Sequence, residues 1–211
     1  MADRVSAGLH YTEKYFIDEL SGKSVSAILP IGKTSFGIGY SSFGFKLFNE
    51  NTAGFGISRK LGEQLAAGVK LKYYYHHIDY EESGQKAVSF ELGISYLLNQ
   101  QLRVGLWYVD PVSSDESYSP AFYTGILYSG NDFSVSARGG WLQKTDFRLG
   151  IEYEILNRLY LRAGVYSNEY KGYSFGLGYL WKNIRIDGAF VSHPILGISP
   201  HITLLFFLNT K

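Results

Sequence analysis

Apolar and polar side chains alternate one by one through most of this chain. In Phe147-Arg148-Leu149-Gly150-Ile151-Glu152-Tyr153-Glu154-Ile155 every odd position is apolar, and the even ones carry Arg148, Gly150, Glu152 and Glu154. Val88 to Tyr96, Leu102 to Tyr108, Leu159 to Val165 and Tyr173 to Tyr179 obey the same rule. Successive side chains of a strand point to opposite sheet faces, so a period of two predicts β-strands. The best helical stretch, Thr12 to Leu20, is short and lies between strand patterns.

Turn-forming residues divide these segments with an alternating spacing. Tight connections are expected at Pro30–Lys33, Leu61–Gln64, Leu98–Gln101, Gly130–Asp132, Ile155–Arg158 and Trp181–Asn183. Longer, more polar ones are expected at Thr12–Gly22, Ser41–Asn51, His77–Lys86, Asp110–Pro120, Leu142–Asp146, Ser167–Gly172 and Ser192–Gly197. Between them fall about fourteen antiparallel strands, with short turns at one end and longer loops at the other, as in an up-and-down outer-membrane barrel. About ten residues at ~3.3 Å each, tilted by about 40°, span the ~25 Å apolar band of such barrels. The expected fold is thus all-β, one barrel domain over residues 1–211.

A soluble sandwich also alternates, so the direction of the apolar face has to be argued. The polar face carries Lys70, Lys72, Glu91, Arg103, Arg138, Arg148, Glu152, Glu154, Arg162, Arg185 and Asp187, together with many glycines. Such charges suit a watery lumen. The apolar faces are nearly free of charge, and their ends carry Tyr40, Tyr73, Tyr75, Tyr96, Tyr108, Tyr128, Tyr153, Tyr179 and Trp181. Tyrosine and tryptophan at that level match the two interfaces of a membrane. About fourteen strands would also close too wide a barrel to fill with side chains. Apolar-out, and with it the bacterial outer membrane and its lipid, is the expectation.

Composition narrows the chemistry. Aromatics make up 17% of the chain and charged residues 18%, and cysteine is absent, which excludes disulfide frameworks and thiolate chemistry. A formal net charge of +1 offers no field to recruit nucleic acid. Met1-Ala2-Asp3-Arg4 opens directly into a strand pattern without the charged and apolar regions of a signal peptide, so that segment is expected to lie outside this chain.

Several stretches resemble the FadL/TodX-type outer-membrane barrel superfamily, and within it the branch containing PorV and PorQ of type IX secretion. They are Phe36-Gly37-Ile38-Gly39-Tyr40-Ser41-Ser42-Phe43-Gly44-Phe45, Asn49-Glu50-Asn51, and Ser58-Arg59-Lys60-Leu61 leading into Ala67-Gly68-Val69-Lys70-Leu71-Lys72-Tyr73. The closing Ser192-His193-Pro194-Ile195-Leu196-Gly197 hairpin completes the set. The resemblance implies a fourteen-stranded, non-enzymatic barrel. It further implies either an accessory part of an outer-membrane secretion or assembly machine, beside other outer-membrane proteins, or a transporter of small hydrophobic compounds such as fatty acids. The family's N-terminal hatch is expected to be absent from this chain, Met1-Ala2-Asp3 resembling its tail. Phe206-Phe207-Leu208 is followed by Asn209-Thr210-Lys211, a departure from the usual terminal aromatic that is expected still to permit assembly.

No catalytic, metal or cofactor site is expected. His76-His77-Ile78-Asp79 places adjacent histidines on opposite strand faces, which suits a polar rim better than a metal. His193-Pro194 is a turn device. Gly172, Gly176 and Gly178 precede no helix and so form no phosphate loop. Asp79-Tyr80-Glu81-Glu82 and Ser113-Ser114-Asp115-Glu116-Ser117 are expected to be solvated outer loops. Two features bear on function. Roughly balanced charges favour paired networks that block the lumen rather than an open pore. The outer loops carry Tyr15, Phe16, Phe43, Phe45 and Phe48, an apolar patch suited to a partner protein or a hydrophobic ligand.

Overall fold

The computed structural model describes residues 4–79, 84–111, 120–141 and 145–208. Among them fourteen strands run Val5–Glu13 (β1), Ser21–Ile31 (β2), Thr34–Phe45 (β3), Phe48–Lys60 (β4), Leu65–Ile78 (β5), Gln85–Leu97 (β6) and Leu102–Pro111 (β7). They continue as Ala121–Ser129 (β8), Phe133–Trp141 (β9), Thr145–Ile155 (β10), Leu159–Ser167 (β11), Lys171–Trp181 (β12), Ile184–His193 (β13) and Gly197–Leu208 (β14). Each pairs antiparallel with its chain neighbours, and β14 returns to β1 to close a barrel. Closure leaves no sheet edge, so backbone groups pair between strands all the way round, which is what lipid demands.

The turns fall where the breaker residues predict. Gly32 takes φ +58 in the two-residue turn after β2, a conformation glycine adopts without cost. Asn99 Oδ1 accepts hydrogen bonds from the backbone N–H of Gln101 (2.9 Å) and Leu102 (2.8 Å), closing the β6–β7 turn. The opposite end is less uniform than the sequence suggests. Lys14–Phe16 and Asp18–Leu20 form two 3₁₀ turns between β1 and β2.

The expected loop Ser41–Asn51 is not a loop. Strands β3 and β4 continue through it to Phe45 and Phe48, which face each other in register across Lys46-Leu47. Gly44, at φ +104, lets the backbone turn where an added Cβ would run into the Phe48 carbonyl. Serine, asparagine and glycine read as turn formers, but continued ladder pairing satisfies the backbone of this hairpin, and pairing decides its structure.

Alternation sorts the side chains as expected. Leu149, Ile151, Leu161, Phe175, Leu177 and Ile202 stand exposed on the outer surface, between 42% and 59% of their area being open. A belt of this extent on a closed barrel is stable only against hydrocarbon. Belt-end aromatics reach polar partners: the Tyr96 hydroxyl donates to Gln64 Oε1 at 2.8 Å and the Tyr40 hydroxyl to Asn51 Oδ1 at 2.6 Å.

Candidate functional site

The inner face of the barrel is uneven. On β5 to β12 many inward positions are glycine or serine, among them Gly68, Gly93, Gly105, Gly125, Ser134, Ser136, Gly150, Gly164 and Ser174. Side chains too short to meet across the lumen leave a cavity of about 960 Å³ against this wall. Arg103, Trp107, Arg138, Arg148, Glu152 and Arg162 border it.

The polar-face charges gather into clusters along the wall. Arg162 pairs with Glu152 (2.6 Å) and Asp187 (2.9 Å), and Arg185 pairs with the same Glu152 (2.7 Å) and Asp187 (3.1 Å), so two cations and two anions close a square across β10, β11 and β13. The Arg185 guanidinium also lies 4.1 Å over the Tyr160 ring. Gly178 makes room for this square, because a Cβ there would collide with the Asp187 carboxylate. Lys72 pairs with Glu91, although Lys70 is the residue opposite Glu91 in register.

The third cluster is unbalanced. Arg138 and Arg148 stand directly opposite each other on β9 and β10. Like charges in that position repel. Asp146, a buried residue that the alternation pattern leaves among the expected loop residues, lies between them: it pairs with Arg138 and, at 3.2 Å, with Arg148. Its parity with Arg148 and Gly150 is the signal that places it on the inner face. Arg138 lies 5.0 Å over the Tyr123 ring, yet its Nε is buried with no hydrogen-bond partner. Arg103 forms no ion pair among the described residues. Glu154 sits at the turn end of the wall, opposite Tyr160 in register.

The apolar patch divides. Phe43, Phe45 and Phe48 lie on strands, Phe43 and Phe48 partly buried and Phe45 exposed at the tip of the β3–β4 hairpin. Phe48 meets the His76 ring edge-on at 4.8 Å, and Lys14 Nζ lies 4.3 Å over Phe43. Tyr15 is tied down by a hydrogen bond from its backbone N–H to Ser199 Oγ at 3.2 Å and by an edge contact with His193 at 5.7 Å. Phe16 projects most freely of the five, 64% exposed, and Phe45 is exposed at 39%. His76 Nδ1 lies 4.0 Å from Glu50. Met1–Asp3, Tyr80–Glu82, Ser113–Ser117 and Asn209–Lys211 lie outside the described residues.

No family model matches the chain, and no curated protein matches it in sequence. Solved structures do match. The chain is similar to the P. putida toluene transporter TodX, with TM-score 0.70 and 13% identity over 100% of this chain and 92% of that one. It is similar to the Acinetobacter baumannii outer membrane protein Omp33, with TM-score 0.70 and 11% identity over 97% and 98%. KdgM porin follows at TM-score 0.59 and 7% identity, over 97% and 99%. The fold is that of an outer-membrane barrel. With the lipid-facing belt it places the chain in the bacterial outer membrane, and at the level of fold it agrees with the FadL/TodX-type resemblance.

Proposed function

We propose that the chain is a non-enzymatic conduit that takes a small molecule into its lumen, the FadL-like reading of the barrel. The observation that carries this is the cavity of about 960 Å³ along the glycine-rich wall. Voids forfeit packing, and a purely structural barrel has no use for one this large. Most ion pairs lie within a strand or between neighbouring strands, while Arg162–Asp187 reaches across β12 and Arg185–Glu152 across β11 and β12, and the cavity remains open beside them. Phe43, Phe45 and Phe48 give the mouth an apolar lip, which suits a hydrophobic or amphipathic compound. The structural neighbours include a toluene transporter and a porin, which supports a transport role.

The accessory role of the PorV kind is the second reading, and Phe16 and Ile17 favour it, being 64% and 43% exposed at the loop end. Planar-bilayer recording of the purified protein separates the two. A conduit gives discrete conductance steps. A barrel that seals the bilayer and copurifies with a stoichiometric partner, lost on Phe16→Asp, replaces the conduit by the accessory role.

A further inference from the structure

The lumen clusters do not cancel. Two of them are balanced, but Arg138 and Arg148 share the single carboxylate of Asp146, and Arg103 borders the same cavity with no ion pair among the described residues. Arg138 also keeps a buried Nε–H without an acceptor. A buried donor without a partner costs the full desolvation of that group, so Asp146 leaves the Arg138 guanidinium incompletely satisfied. Trp107 borders the same cavity. It is stacked nearly parallel on Tyr123 (5.3 Å, 16°), and a Cβ on Gly125 would sit 3.3 Å from the indole. The indole therefore runs along the wall and borders the cavity, a surface on which a flat apolar body can stack.

We propose that this cavity binds a small organic anion, a planar carboxylate fitting it best, with its oxygens on the Arg103, Arg138 and Arg148 guanidinium groups and its body against Trp107. The inference rests on the conduit reading for its role in transport, but the binding itself does not require that current flow. Arginine is suited to the task because its planar fork meets both oxygens of a carboxylate at once. The volume of about 960 Å³ lies at the upper end of small-molecule sites and leaves room for water around the ligand. Asp146 has two arginines to neutralise, so it does not repel the guest as an unpaired carboxylate would.

Benzoate, benzyl alcohol and benzylammonium are matched probes that differ chiefly in charge. Titrated by calorimetry into the full chain in detergent, benzoate binds and the other two do not. Arg103→Gln removes no ion pair among the described residues and so leaves the barrel folded. It weakens benzoate about tenfold, the size of one lost charge-assisted hydrogen bond. Trp107→Leu, with the arginines intact, weakens benzoate but not acetate, a readout that an altered fold would not produce. Benzyl alcohol or benzylammonium binding as tightly as benzoate, or an unchanged affinity in Arg103→Gln, overturns the anion site. Benzoate binding in a barrel that passes no current overturns the conduit and leaves the site standing. Conductance with no benzoate binding does the reverse.

Discussion

Leu177 shows how position on a strand decides what a residue can be. It lies on the lipid face of β12, opposite Leu161 and Gly188. Leu177→Arg should cost about 2–4 kcal/mol if the site lies near the bilayer midplane, read from urea unfolding in lipid vesicles. Gly105→Ala on the inner face is the control, since its new methyl would meet only the Ile94 carbonyl at 3.6 Å and should change stability little. Equal losses at both positions would sink the lipid-facing assignment. In the arginine square, Glu152→Gln or Asp187→Asn alone leaves each arginine one carboxylate, and each should cost about 1–2 kcal/mol, between the values for exposed and buried pairs. The double variant strands both Arg162 and Arg185, so its cost should exceed the sum of the singles by about 1 kcal/mol. Simple additivity would mean that the four groups do not act as a unit.

The β3–β4 hairpin shows the same logic at the scale of the element. Strands β3 to β6 have 12 to 14 residues, against 9 for β8, β9 and β11, so the wall is tallest where the aromatic lip stands. Its tip depends on Gly44, whose positive φ and proximity to the Phe48 carbonyl exclude a side chain. Gly44→Ala should open the tip while the rest of the barrel stays paired, because closure is carried by fourteen independent seams. Hydrogen exchange should then speed up at Phe45 and Phe48 and stay slow at Phe55 and Ile57. Faster exchange throughout both strands would show that the tip nucleates the whole hairpin.

For the whole molecule, closure and lumen volume are the linked properties. Fourteen strands set a lumen too wide to fill from one wall, and inward glycines enlarge it on the β5–β12 side. Gly105→Phe should fill part of that space from a position whose added Cβ makes only an ordinary contact. The expected result is a barrel of unchanged mobility on unheated gels with a markedly smaller single-channel conductance. A conductance equal to that of the unmodified protein would place the passage elsewhere in the lumen.

The alternation of side chains, by itself, determined the strands, the six short turns, the lipid face and the inward parity of the charges, because each depends on a local period or a local turn residue. That is why Arg148, Glu152 and Glu154 are legible as one face of β10 from their spacing alone. Partner choice was not legible. Which carboxylate meets which arginine depends on register between strands and on side-chain reach, so Glu91 takes Lys72 rather than the facing Lys70, and Asp146 enters between Arg138 and Arg148. Balanced composition pointed to a blocked lumen, yet composition counts charges without placing them. The tertiary structure joins some pairs between neighbouring strands, carries Arg162–Asp187 and Arg185–Glu152 over the strands between, and sets a glycine-rich stretch of wall around a common space. The fate of Phe43, Phe45 and Phe48 was decided in the same way: ladder pairing between β3 and β4 drew them out of a supposed loop and onto strands, since a backbone that can complete its hydrogen bonds does so.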